Sequence, residues 1–192
     1  MASRTLKWIL KAAIIPVVGV AYVSFTGLNG YCPTCAAIMD SVLGRTGTPI
    51  EPGPAKGSVS NLTVYGLDGS AVVLGQYVGK PLIIDVWATW CPPCRKQRTV
   101  LHDLDAEFLK TVNIVSLSTD RDPRLVETYI RSHPANSIEL MSSPEALAAF
   151  GGVSSIPTLV FVDSLGQIRD VEQGVQSASE LRRRVMGLAA AK

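Results

Sequence analysis

The sequence predicts an α/β domain in which helices are layered on a mixed β-sheet, and three observations predict it. "PLIIDVWA" at 81–88 and "TVNIVSLST" at 111–119 are continuous runs of apolar β-formers, the composition of strands buried on both faces. Between and after them lie stretches whose apolar residues recur at helical spacing. Late in the chain, "PTLVFVDSLGQIRDVEQG" at 157–174 holds two β-rich runs joined by a short glycine-containing turn. Strand and helix periods that alternate in this way make a layered α/β fold.

Taken in order, the predicted domain spans 59–192. "LTVYGLDGSAVVL" at 62–74 places two β-rich runs around Asp68-Gly69, the signal of a hairpin extending the domain at its N-terminal side. "GQYVGK" follows as a turn or short helix, and "PLIIDVWA" as the first buried strand. From Pro92 to Lys110 a helix is expected, with Val100, Leu101, Leu104, Phe108 and Leu109 as its apolar stripe. "DPRLVETYIRSH" starts a further helix, with Asp122 as N-cap and Pro123 in the first turn. "SPEALAAFGG" is a short helix stopped by Gly151-Gly152. "SASELRRRVMGLAA" closes the chain as a helix, its basic run "LRRRV" read as one solvated face.

Upstream of the domain the composition changes twice. Residues 44–58 are dense in Gly, Pro and Thr and cannot present an apolar face, so they read as a flexible linker. Residues 12–28, "AAIIPVVGVAYVSFTGL", are apolar and follow Arg4, Lys7 and Lys11, with no acidic residue in the first 39 positions. A basic flank before an apolar stretch is the pattern of an uncleaved signal anchor. The stretch reaches bilayer length, about 20 residues, when Trp8 to Leu10 join it and Lys11 snorkels to the headgroups. Residues 1–11 are then cytoplasmic, and everything after the anchor faces the periplasm or the cell exterior, on a single-pass protein of a bacterial inner membrane. The chain carries 18 basic and 16 acidic residues; without Arg4, Lys7 and Lys11, 15 basic residues remain against the 16. An exported part so close to neutral does not support a nucleic-acid partner.

The four cysteines form two pairs of identical spacing, Cys32 and Cys35 in "YCPTCAA" and Cys91 and Cys94 in "DVWATWCPPCRK". The second pair sits where a buried strand ends and a helix begins. Unpaired amides and the helix dipole there stabilise an anion, and thiol pKa values fall to roughly 3.5–7.5 in such places. Cys91 is thereby a nucleophile at neutral pH. Cys94, one turn further in, can close a small disulfide ring with it, and Pro92 and Pro93 stiffen the turn between them. The pair suits attack by Cys91 on a partner disulfide and resolution of the mixed disulfide by Cys94. Three other readings stay open on spacing alone. They are a structural disulfide, which would restrain only a very small loop, a zinc site shared with Cys32 and Cys35, and a thiolate site that hands copper to a partner.

"DVWATWCPPCRK" resembles the active-site segment of thioredoxin-fold proteins, and more closely that of TlpA/ResA-type membrane-anchored thiol–disulfide oxidoreductases. "LTVYGLDGSAVVLGQYVGKPLIIDVWATWCPPC" resembles the approach to the active site in that group, and the likeness runs from about Val59 to the C-terminus. "SSIPTLVFVDSLGQI" at 154–168 reinforces it. The resemblance implies a thioredoxin fold, with a central mixed sheet flanked by helices. It implies redox exchange with cysteines of other proteins, and neither a cofactor nor a metal. It also implies a cis bond before Pro157, which would turn the Ile156 backbone toward Cys91 and toward an extended substrate strand. Asp85, six residues before Cys91, matches the family's buried acid and would relay a proton for Cys94, its pKa raised by burial. Trp90 would pack over the disulfide and shield it, and together with Pro92 and Ile156 would line the substrate edge. One departure stands out. Where many members carry Glu and then x-Pro after the second cysteine, "CRKQRT" has Gln97 and Thr99, which leaves more of the proton handling to Asp85.

The expected activity is that of a reductase for protein disulfides, for instance in cytochrome c or oxidase assembly, served by a membrane thiol electron donor. A disulfide oxidase or isomerase and the copper-handling factor are the alternatives. Cys32 and Cys35 have no counterpart in the family pattern. They read equally as a second redox pair relaying electrons to Cys91-Cys94 and as a local disulfide without turnover.

Overall fold

The strand β3, Leu82–Trp87, forms the axis of the domain, and all six of its residues are buried. In the computed structural model of the chain, residues 49–54 and 56–190 are described. The basic N-terminus, the anchor 12–28, the Cys32-Cys35 segment 29–43 and much of the linker lie outside them. No helix among the described residues is long and apolar enough to cross a membrane.

Chain order is β1 Thr63–Tyr65, β2 Ala71–Val73, a single-turn helix Leu74–Tyr77, β3, α1 Pro92–His102, α2 Ala106–Leu109, β4 Asn113–Ser118, α3 Pro123–Ser132, β5 Ile138–Met141, α4 Pro144–Ala149, β6 Thr158–Val162, β7 Ile168–Gln173 and α5 Ala178–Ala190. The seven strands make one sheet in the order β2-β1-β5-β4-β3-β6-β7. β3 is parallel to β4 and antiparallel to β6, and β4 is parallel to β5, so the sheet is mixed.

Because side chains alternate along a strand, β3 serves two cores. Leu82, Ile84 and Val86 pack with Val115, Leu117, Val160, Val162 and Phe150 on one face. Ile83 packs on the other with Leu101 of α1 and Leu181, Val185 and Leu188 of α5, while Trp87 joins Cys91, Cys94 and Val126. Asp85 lies between Ile83 and Trp87 on that second face, beneath α1.

Three sequence expectations are corrected. The helix expected over 92–110 stops at His102, and a new short helix starts after Asp105, whose side chain accepts from the Phe108 amide at 2.8 Å. An Asp at a capping position competes with helix continuation, and here it wins. β5 was not anticipated, since "IELM" is only four residues long and becomes a strand by pairing with β4. Nor is the basic run of α5 a solvated face. Arg184, whose side chain is 12% exposed, bonds to Asp170 and to Glu172 (2.8 Å) of β7, and Arg182 pairs with Asp105.

Candidate active site

The reactive pair is positioned by the end of β3. After Trp87 the chain turns through Ala88–Trp90, and the Cys91 amide donates to the Ala88 carbonyl at 3.2 Å. Cys91 is the N-cap of α1, in extended conformation, with prolines in the first turn where backbone donors would find no partner inside the helix. Its Sγ accepts from the Cys94 amide at 3.2 Å, the capping role usually taken by an oxygen. The two cysteines are joined as a disulfide, Cα to Cα 5.3 Å. Cys94 is fully buried and Cys91 is 3% exposed, so what little surface the pair offers a partner belongs to Cys91.

Two clamps hold the surroundings. Asp120 accepts from both the amide and the hydroxyl of Thr89, each at 2.8 Å, and Arg95 donates twice to the Thr89 carbonyl, at 3.1 and 2.8 Å. The turn leading into Cys91 is thus gripped from the β4–α3 connection and from α1. Opposite, the Ile156–Pro157 bond is cis and the Ile156 carbonyl oxygen lies 3.7 Å from Cys91 Sγ. Gln173 of β7 bonds to Ser155 (2.9 Å) and Ser154 (3.1 Å), and the Gly174 amide donates to the Pro157 carbonyl at 2.8 Å, which anchors that loop to the sheet.

Asp85 is completely buried, and among the described residues neither of its oxygens has a hydrogen-bond partner. Burial pushes its carboxyl up from the usual range to about 7; the Arg98 charge opposes the rise and the Glu139 charge adds to it. A carboxyl titrating there holds or releases a proton at neutral pH, the property a proton carrier needs.

Trp90 is 66% exposed, so much of its indole faces solvent. The indole packed in the cysteine cluster belongs to Trp87. Gln97 is buried on the inner face of α1, where its Oε1 accepts from the Gln176 amide at 2.6 Å and ties the helix to the β7–α5 connection. Sequence reasoning missed Arg98, Asp120, Glu139 and Gln173. The inward stripe Cys94, Gln97, Arg98, Leu101 has helical spacing and was a readable signal for Arg98. Glu139 offered none while β5 was unforeseen. Among the described residues no group of three or more His, Cys, Asp and Glu side chains is placed to hold a metal.

A family profile described as thioredoxin-like matches residues 79–168, which contain the cysteine pair, Asp85 and Pro157. That stretch of the chain is thioredoxin-like, and the relatives it resembles include proteins of the ResA type. The chain is similar to the thioredoxin-like protein YneN of Bacillus subtilis strain 168, at 23% identity over 183 residues, covering 93% of this chain and 96% of that one. It is also similar to the thiol-disulfide oxidoreductase ResA of Bacillus thuringiensis subsp. konkukian strain 97-27, at 25% identity over 122 residues, covering 63% and 70%. A solved structure of MTB dsbF in mixed oxidized and reduced forms superposes with a TM-score of 0.59 at 28% identity, covering 71% of this chain and 98% of that one. This thioredoxin-like protein is accordingly a thiol–disulfide oxidoreductase, and Cys91-Cys94 is its CxxC pair.

Proposed function

We propose that this thioredoxin-like protein reduces disulfides of other proteins outside the cytoplasmic membrane, held there by residues 12–28 and supplied with electrons by a membrane thiol donor. The observation that supports this direction of electron flow is the sparse polar environment of the Cys91 sulfur in the oxidised pair. Among the described residues, one backbone amide donates to its Sγ, that of Cys94, and no cationic side chain does. Strongly oxidising couples owe their potential to a heavily stabilised reduced form. One donor and no cation in contact with the sulfur favour the reducing reading over the strongly oxidising one.

In the forward direction the Cys91 thiolate attacks a substrate disulfide, forming a Cys91–substrate bond and releasing one substrate sulfur as thiolate. Cys94 passes its proton to the Asp85 carboxylate, and its sulfur attacks Cys91. The second substrate sulfur leaves, the Cys91–Cys94 bond forms, and two electrons have passed to the substrate. Two thiols of the donor then restore the pair. The Ile156 carbonyl beside Cys91, together with Trp90, Pro92 and Pro157, makes the edge along which an extended substrate strand docks.

The test is the reduction potential of Cys91-Cys94, measured on the full chain in detergent against glutathione. A value nearer about −270 mV than about −120 mV supports the reductase; one near the oxidising end overturns it in favour of an oxidase. Trapping with Cys94→Ala then names the substrates left disulfide-linked to Cys91, assembly factors for cytochrome c or its oxidase being the class expected. Cys32 and Cys35 are assigned here as a second redox pair. Serine at both positions should slow re-reduction of Cys91-Cys94 by membranes, and an unchanged rate removes them from the path.

A further inference from the structure

Asp85 does not lie alone beneath α1. Strand register sets Asp85 beside Ser116 of β4, and Ser116 beside Glu139 of β5, so one row across the sheet reads Asp85, Ser116, Glu139. Ser137 bridges the row at its far end, accepting from the Ser116 hydroxyl at 3.0 Å and donating to Glu139 Oε1 at 2.7 Å. Arg98 descends onto the row from α1. Its guanidinium meets Glu139 through two bonds, Nη2 to Oε1 at 2.8 Å and Nη1 to Oε2 at 3.2 Å, and lies 3.9 Å over the Trp87 ring. The side chains of the pair are 4% and 11% exposed.

We infer that Arg98 and Glu139 are positioning residues for the exchange reaction, a self-neutralising pair that roofs Asp85 and keeps a net charge away from the carboxyl that serves Cys94. The inference rests on the proton-carrying role assigned to Asp85. A buried ion pair is a poor source of stability, because desolvating both ions offsets much of their attraction. Its place in the same sheet row as an unpartnered carboxyl calls for another reason. Arg98 alone would hold Asp85 ionised and too weak a base; Glu139 alone would hold it protonated. Asp85 is paired across the sheet with Leu159 of β6 and Ser116 of β4, and the buried side chains of α1 are Cys94, Gln97, Arg98 and Leu101. Above Arg98, a groove of about 210 Å³ shared with Arg95, His102, Tyr129 and His133 leads to solvent. Among the described residues, Arg98 and Glu139 are the charges that act on Asp85.

The experiment follows the pH dependence of insulin reduction by the full chain in detergent, with carbon-13 titration of the Asp85 carboxyl in the same samples. Glu139→Gln keeps the shape and acceptor oxygen but removes the balancing charge, so the acid limb and the carboxyl titration should move about one to two pH units toward acid. Arg98→Met should move both toward base, and Arg98→Lys should restore most of the original position. A merely structural pair would lower stability without displacing the titration. An unmoved titration in Glu139→Gln, or displacement of Arg98→Met and Glu139→Gln in the same direction, overturns the inference. If Arg98→Met does not fold, Glu139→Gln and Arg98→Lys decide the matter on the same terms. Asp85→Asn separates the two levels of argument. If it leaves the acid limb in place, the role of Asp85 itself fails; if it removes the limb while Glu139→Gln does not shift it, only the role of the pair fails.

Discussion

On one face of the central sheet β3 offers Leu82, Ile84 and Val86, and everything that meets them is apolar; on the other it offers Ile83, Asp85 and Trp87, and there a carboxyl, an ion pair and a disulfide are equally dry. Both faces are largely buried, so burial alone does not distinguish them. What differs is what burial is used for. On the first face it contributes the hydrophobic free energy that holds the layers together, roughly 1.5–3 kcal/mol per large side chain. On the second it raises the free energy of a charge, which lifts the pKa of the Asp85 carboxyl.

Substitutions on the two faces should therefore fail in different ways. The largest effect belongs to Cys91→Ser, which should bring insulin reduction down to the rate of dithiothreitol alone while the fold persists. Ile84→Ala, on the apolar face, should cost about 2–5 kcal/mol in urea unfolding and leave the acid limb of the rate profile where it is. A displaced limb would show that the faces are not separable.

Asp85→Asn sharpens the contrast through pH. The Asp85 pKa is raised in the folded state from 3.8 to about 7. Its contribution to stability is therefore fully present below about pH 4 and is lost as pH rises through about 7. Relative to the Asn variant, the oxidised parent should lose up to about 4 kcal/mol between pH 4 and pH 8, read by urea unfolding at both values. A pH-independent gap would contradict the elevated pKa.

Smaller effects lie at the rim. Asp120→Asn weakens the grip on Thr89 and should cost about 1–3 kcal/mol, with faster alkylation of reduced Cys91 as the turn loosens. Glu107→Ala removes the exposed pair with Lys110 and should change stability by about 0.5 kcal/mol or less, a floor against which the others are judged.

Much of this site was legible in the chain. The strand–helix junction at Cys91, the prolines after it and the buried run around Asp85 are local patterns, and each appears within a window of a few residues. Trp90 and Trp87 show where locality ends. They are three positions apart, yet Trp87 is still on β3 and faces the core, whereas Trp90 lies in the turn and faces water. Spacing in the sequence does not say where a strand stops pairing. The break at Asp103–Asp105 was misread for a related reason, since an apolar stripe continues across it while the capping carboxylate restarts the helix.

By itself, then, the sequence determined the class of fold, the reactive pair and its place at a helix start, because strand, helix and cap preferences act between neighbours along the chain. Only the tertiary structure decided what surrounds Asp85. Arg98 and Glu139 are 41 positions apart, and they meet because β5 pairs beside β4 while α1 folds back over both. Their charges act through space, across a sheet whose register no single stretch of the chain contains.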